Sequence, residues 1–457
     1  MQAPADLIAG VPVARIAAIS AREAKRFARA RPLSRAAIAA GQAAFVQGVP
    51  MLWMVDWPMP FPMLVAKASG ATIEDIDGNR LDDFCFGDTG SMFGHSPVPV
   101  AKAIRAQARR GLTYMLPTMD ALAVGVLLRE RFGDFLWQIA TTASDANRFA
   151  LRVARAVTGK PKVLVFAGCY HGAVDDAMIE PFAGGTRARA GLVGQVADLT
   201  ATGICVEFND LAAVEAALQT GEVAAILTEP VLTNCCMVLP DPGFLDGLRQ
   251  LTRQYGALLI LDETHTISTG LGGYMSAHRL DPDIFVLGKP VAGGVPAAVW
   301  GLRPAIVAGL AAYDAKRPPG FSGIGTTLSA NPLQLAAMRA TLAEVMTVEN
   351  YARMERGAAR LAAGLAAVIA RHRAPWHVVR VGARVEFICS PAPLRNGSAG
   401  LAAHRPALEA AVHAALVNRG CLIAPFHNMM LVSPVTKNRQ IDRLILAFDE
   451  ILTELFA

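Results

Sequence analysis

The sequence predicts an α/β protein built on a mixed, mainly parallel sheet. Three observations carry that reading. From about Val98 to Ala311, helical stretches alternate with short apolar runs, the pattern of strands joined by crossover helices. The runs are aliphatic and β-branched without polar alternation, as strands buried on both faces should be. Two runs stop abruptly at a charged residue: Ala257-Leu258-Leu259-Ile260-Leu261 meets Asp262, and Asp283-Ile284-Phe285-Val286-Leu287-Gly288 meets Lys289.

In chain order, residues 1–47 are rich in Ala and Arg with helical spacing and predict a helical arm. Asp6 and Glu23, and the scarcity of Ser, set this arm apart from an organellar presequence. Pro58, Pro60 and Pro62 form a stiff connector. The alternation Thr72-Ile73-Glu74-Asp75-Ile76, followed by Asp77-Gly78-Asn79, predicts a small hairpin. Strands are expected at 162–166, 204–206, 224–228, 258–261, 284–287 and 297–301. A long helical stretch runs from Asn331 to about Arg371, and α+β structure follows with strands at 378–381, 384–389, 421–424 and 430–433. The expected division is 1–97 for the arm and hairpin segment, 98–335 for a large α/β domain and 336–457 for a C-terminal α+β portion. The N- and C-terminal segments together build the smaller domain.

A chain of 457 residues supports two or three subdomains around a large core. Its hydrophobic share is 53% and its charged share 18%, so much surface must be covered, part of it between subunits. No run reaches the roughly 18 apolar residues of a membrane span; the one beginning at Pro290 is stopped by Arg303. The net charge of +5 is dispersed, which speaks against nucleic-acid binding. Cys85, Cys169, Cys205, Cys235, Cys236, Cys389 and Cys421 form no CxxC pair and no metal-like cluster with histidine. They read as reduced core thiols of a cytoplasmic protein without a metal.

Ligands of parallel sheets collect at the carboxyl ends of the strands. An acid and an amine delivered there, Asp262 and Lys289, match what pyridoxal phosphate requires. The lysine condenses with its aldehyde as a Schiff base, and the aspartate keeps the pyridine nitrogen protonated. A strand-end salt bridge is the alternative for an isolated pair, and the surrounding motifs tell against it. In order they are Gly70-Ala71-Thr72-Ile73-Glu74-Asp75-Ile76-Asp77-Gly78-Asn79, Gly94-His95-Ser96-Pro97, Ala143-Ser144-Asp145-Ala146-Asn147 and Gly168-Cys169-Tyr170-His171-Gly172. Glu229-Pro230, Asp262-Glu263, Leu287-Gly288-Lys289 and Thr327-Leu328-Ser329-Ala330-Asn331-Pro332 complete the set. From about Pro60 onward the chain resembles class III aminotransferases of the fold-type I pyridoxal-phosphate enzymes. It is most similar to the branch of glutamate-1-semialdehyde aminomutase and β-amino-acid transaminases.

The segment Ala143-Ser144-Asp145 opens a helix whose N–H groups and dipole suit a phosphate. The family has Gly-Thr where this chain has Ala143-Ser144, which removes a residue free to take positive φ; Ser144 could instead only cap the helix. The resemblance implies that Tyr170 stacks on the pyridine, that His171 supports its loop, and that Glu229 supports the cofactor's surroundings. It places Thr264 where an aliphatic side chain packs on the ring, and His265 near the phenolic oxygen, with a loop histidine bonded to backbone as the alternative for His265. It further implies that Lys289 carries the proton between reacting carbons, and that Thr327 reaches the phosphate of the neighbouring subunit. The last point makes a homodimer with shared active sites. Thr326 stands where Gly is usual.

For the substrate, the stretch Trp53-Met54-Val55-Asp56-Trp57-Pro58-Met59-Pro60-Phe61 is aromatic and lacks the basic residues of the aminomutase branch. Phe426-His427-Asn428 stands where related β-amino-acid transaminases place an arginine. Trp57, Arg384 and His427 are the candidate substrate residues, with a structural ion pair as the alternative for Arg384. Without the usual anchors, glutamate-1-semialdehyde is disfavoured. The expected activity is therefore an aminotransferase moving an amino group from an amine or amino acid with a hydrophobic or aromatic part to a keto acid or other carbonyl acceptor. The alternative on the same scaffold is a glutamate-1-semialdehyde-type aminomutase, a racemase or a decarboxylase. A non-catalytic relative is opposed by the intact Asp262 and Lys289.

Overall fold

The computed structural model describes residues 6–41 and 44–457. The chain forms two compact units. One holds the chain up to Ser96 with Ala352–Pro393 and Ala403–Ala457, and the other holds Pro97–Tyr351 with Leu394–Ala402.

The second unit is built on seven strands: β1 Leu136–Ala140, β2 Lys162–Phe166, β3 Gly203–Val206, β4 Val223–Thr228, β5 Leu258–Asp262, β6 Ile284–Leu287 and β7 Ala298–Leu302. Their spatial order is β3-β2-β4-β5-β6-β7-β1. The first five are parallel to one another, and β7 runs antiparallel to both β6 and β1. Ile226, Ile260 and Val286, in the sheet's middle, have no exposed surface, as both-face burial requires. The helix Ala143–Thr158 turns Ala146, Phe149, Ala150 and Val153 onto this core, an apolar stripe at helical spacing. It ends at Gly159, whose φ of 70° suits glycine. In the β5–β6 pair, Asp262 lies opposite Val286. Lys289, three residues farther along, therefore emerges at the same sheet edge as Asp262.

The apolar runs gave the six expected strands to within a residue or so at each end. The antiparallel sense of β7 carries no signal in composition, because a central strand is apolar whichever way it runs. The hairpin Ile179–Phe182 with Gly185–Ala188 was not anticipated; Pro181 and its glycines obscure any alternation. A division at 335/336 falls inside the helix Pro332–Ala340, which packs on Val98–Ala108 and Met119–Phe132, so the large unit continues to Tyr351. The expected continuous helix is interrupted by a π-helical turn at Thr341–Val345 before Val348–Arg371 resumes. Buried Thr341 there bonds back to the Ala337 carbonyl at 2.8 Å.

The first unit joins the two ends of the chain. Cys421–Leu422 pairs in parallel with Arg80–Asp83, which pairs with Thr72–Asp75 and then Val65–Ser69. A second sheet has the order His377–Val381, Arg384–Ile388, Met429–Leu431. The helix Val13–Ala30 packs on Pro406–Asn418.

Candidate active site

Asp262, the last residue of β5, is buried, and both of its carboxylate oxygens have partners. Oδ2 accepts from Asn147 Nδ2 at 2.9 Å and lies 3.0 Å from His171 Nδ1, while Oδ1 accepts from the Thr264 N–H at 3.1 Å. Burial alone would raise this carboxyl's pKa, but His171 and these donors bring it down to about 2. Burial likewise disfavours the His171 imidazolium, yet the Cys169 sulfur and Asp262 push its pKa up to about 10. The two side chains form a buried ion pair, each holding the other charged.

Lys289 follows Gly288 and has φ 44°, a left-handed conformation that costs a side-chain-bearing residue free energy and marks functional positions. Gly288 is required by close approach: an added Cβ would lie 2.8 Å from the Ala143 Cβ. The Gly288 N–H donates to Thr264 Oγ1 at 3.2 Å, so Thr264 braces the backbone just before the lysine by a hydrogen bond. Lys289 Nζ lies 2.9 Å from His265 Nε2. His265 thus addresses the lysine amine.

At the start of the helix Ala143–Thr158, the cap is Thr142, whose Oγ1 accepts from the Asp145 N–H at 3.1 Å. Ser144 is therefore not the cap; its Oγ accepts from the Ala173 N–H at 3.0 Å. Ala143 has helical backbone angles, so no glycine is needed there. A glycine is required instead at Gly172, with φ 82°, where a Cβ would fall 2.0 Å from Ser144 Oγ. The first-turn N–H groups of Ala143 and Ser144 remain as donors at the positive end of the dipole.

Tyr170 is 45% exposed between buried Cys169 and His171. Glu229 stands behind it: Oε1 accepts from the Tyr170 N–H at 3.2 Å, and Oε2 accepts from the Thr233 N–H and hydroxyl at 3.1 and 2.5 Å. Burial raises the Glu229 pKa. Thr327 is exposed on the turn after Gly325, beside the Thr326–Ser329 hydroxyl pair at 2.7 Å.

Trp57, Arg384 and His427 belong to the other unit. Trp57 meets His413 edge-on, with ring centroids 5.5 Å apart. His427 Nδ1 lies 3.2 Å from buried Glu386. Arg384 has no exposed surface; Nη1 donates to Thr89 Oγ1 at 2.6 Å and Nη2 lies 3.5 Å from Asp88. Its guanidinium thus lies in the ion-pair arrangement that the sequence left open.

Two working residues went without a role in the sequence reading. Asn147 was seen only as part of a motif; a lone amide on the stripe of Ala146, Phe149 and Ala150 was the signal for its inward task. Glu263 is buried behind β5, accepting from Thr266 Oγ1 at 2.6 Å and from the Tyr274 N–H at 3.0 Å, with burial raising its pKa to about 7. Among the described residues, no group of His, Cys, Asp or Glu is arranged to hold a metal ion.

An ionised carboxylate, a half-buried amine and a helix start with free N–H groups suit the ring nitrogen, the aldehyde and the phosphate of pyridoxal phosphate respectively. The family model for class-III aminotransferases matches residues 54–452. A glutamate-1-semialdehyde-aminomutase from Pseudomonas aeruginosa PAO1 has a similar structure, with TM-score 0.95 and 47% identity over 98% of this chain and 100% of that one. A lysine-to-alanine variant of that enzyme has been solved in complex with PMP. Glutamate-1-semialdehyde 2,1-aminomutase 2 of Bacillus anthracis is 33% identical over 87% of this chain and 92% of its own length. The enzyme named glutamate-1-semialdehyde 2,1-aminomutase in Roseiflexus castenholzii is 38% identical over 66% and 70% respectively.

These relatives overturn the expectation of an aminotransferase for hydrophobic or aromatic amines. The physical reason is plain. The features that carried the reading, an aspartate and a lysine at one sheet edge and a helix start suited to a phosphate, are what any reaction of this cofactor asks for, so they do not separate transamination from aminomutation. The substrate argument rested only on arginines missing from two segments, and a carboxylate can be bound from elsewhere.

Proposed function

Because this chain belongs to the class-III aminotransferase family, whose cofactor is pyridoxal 5'-phosphate, we propose that it is an aminomutase of the glutamate-1-semialdehyde type. The net reaction relocates an amino group to the neighbouring carbon of one substrate, with no second carbonyl acceptor consumed. The observation that carries this reading is the 47% identity, over 98% of the chain, to the Pseudomonas aeruginosa aminomutase.

When bound, the cofactor supplies a carbonyl that takes up an amino group and a ring that stabilises negative charge on the adjacent carbon. Lys289 Nζ is the proton carrier in this reading, with His265 Nε2 at 2.9 Å as its exchange partner. Asp262 is the fixed anion for the ring nitrogen, kept ionised by His171 and oriented by Asn147 and Thr264. Ser144, Gly172 and Ala173 shape the phosphate end, and Tyr170 offers a ring face.

Thr327 serves the phosphate of a second copy in this reading, so the working form is a homodimer. Support comes from Met115, Leu116, Met119 and Leu122, apolar side chains 64% or more exposed that need a cover. A reducing, cytoplasmic location fits seven free buried cysteines. Among the described residues, no helix is long and apolar enough to cross a membrane.

A substrate panel tests the proposal. The kcat/KM for isomerising glutamate-1-semialdehyde should exceed, by about a hundredfold or more, that for β-amino acids or aryl-alkyl amines supplied with a keto acid. A hydrophobic amine turned over in preference would refute it.

A further inference from the structure

We propose that the large unit carries a second anion site, a cleft that takes a phosphomonoester borne on a flat aromatic ring. The cleft measures about 960 Å³, ample for a small ligand, and neither Lys289 nor Asp262 nor Ser144 lines it. One wall is the outer face of the helix Ala143–Thr158. Arg148 and Arg152 stand there one turn apart, on the stripe that starts at Ser144, with about 6 Å of rise between them.

The other arginines of the lining are already paired: Arg155 with Asp176 at 2.7 Å, and Arg317 with Asp314 at 2.5 Å. Arg148 and Arg152 are exposed and have no carboxylate partner among the described residues. The Arg152 guanidinium rests over Gly323, where a Cβ would lie 3.0 Å from Cζ, so a glycine makes room for it. Two guanidinium forks at this spacing match a phosphate dianion. Tyr313 and Phe321 also line the cleft, 46% and 82% exposed, and offer faces to a ring. Asp175, likewise in the lining, gives an acceptor for a ligand hydroxyl. Ala173 borders the cleft while its N–H is tied to Ser144 Oγ at 3.0 Å. A ligand there rests against the loop that shapes the proposed phosphate site of the cofactor. Free cofactor vitamers and nucleotides share the required chemistry.

The site is independent of the reaction proposed above, because its readout is binding. Holoenzyme is titrated calorimetrically with pyridoxine 5'-phosphate, which lacks the aldehyde that would react with Lys289, and in parallel with adenosine 5'-monophosphate and inorganic phosphate. The expected result is one further equivalent per chain for a ring-bearing phosphate, tighter than inorganic phosphate and weakening as salt rises. The tighter of the two ring-bearing ligands identifies the source. Affinity should fall at least about tenfold in the Arg148→Gln/Arg152→Gln variant, checked for full cofactor absorbance and normal melting. If that variant loses its cofactor, Arg148→Gln alone carries the comparison. Absence of saturable binding to wild-type holoenzyme, or undiminished binding by the glutamine variant, overturns the site. Inorganic phosphate binding as tightly as both ring-bearing ligands overturns the aromatic class.

Discussion

Asp262 and His171 keep each other charged inside the protein, and the consequences are measurable. Asp262→Asn retains the shape but loses the anion. It should reduce kcat by about a thousandfold, equivalent to ~4 kcal/mol of transition-state stabilisation, with cofactor still bound through Lys289; a loss below tenfold would mean that another group faces the ring nitrogen. The pair also links stability to pH. The His171 pKa is raised from 6.5 to about 10, so its contribution is complete below pH 6.5 and lost as pH climbs towards 10. The Asp262 pKa is lowered from 3.8 to about 2, so its contribution is present above pH 3.8 and lost as pH falls towards 2. In cofactor-free protein, His171→Gln should flatten the alkaline fall of the melting temperature between pH 6.5 and 10; an unchanged slope would contradict the ion pair. Asp262 and Lys289 stood out in the sequence because each closes an apolar run, Asp262 as the last residue of β5 and Lys289 two residues past the end of β6. Asn147 lies on the helix's apolar stripe, but its task was not legible because its partners, the His171 carbonyl and Asp262, are distant in sequence.

The helix Ala143–Thr158 and the loop before Ala173 form one device, and its tightest point is Gly172. A Cβ there meets Ser144 Oγ at 2.0 Å on a backbone with φ 82°. Gly172→Ala should weaken cofactor binding by at least about tenfold, whereas Gly78→Ala, with φ 84° and open space around it, should cost only the ~1–2 kcal/mol of a left-handed alanine. Equal effects on cofactor titration would show that strain alone, and not the contact with Ser144, governs the loop. Strand positions were readable because burial on both faces leaves an unbroken apolar run. The direction of β7 depends on neighbours distant in sequence, so local pattern does not encode it. The alternative that Ser144 only caps the helix does not hold, because Thr142, two residues earlier, takes the cap with the same chemistry.

At the scale of the whole molecule, the proposed homodimer makes a distinctive prediction. If Thr327 serves the partner's cofactor, mixing Lys289→Ala with Thr327→Ala subunits creates one wild-type site per heterodimer and restores up to about half the activity. No rescue in proven heterodimers, with Thr327→Ala impaired alone, would place Thr327 at its own chain's site. Family and cofactor were legible because an ordered set of motifs runs through most of the chain. Reaction type was not. The motifs encode what the cofactor needs, whereas the choice between isomerising one substrate and shuttling amino groups between two depends on how the substrate is held.

The most direct measurement follows the mass balance of glutamate-1-semialdehyde with purified holoenzyme, by NMR, without any added amino donor or keto acid. The account predicts many turnovers per site and quantitative conversion to the isomer with amino and carbonyl positions exchanged, all of it lost in Lys289→Ala. Conversion that stops at one equivalent per site until a second amine or carbonyl compound is supplied would contradict it.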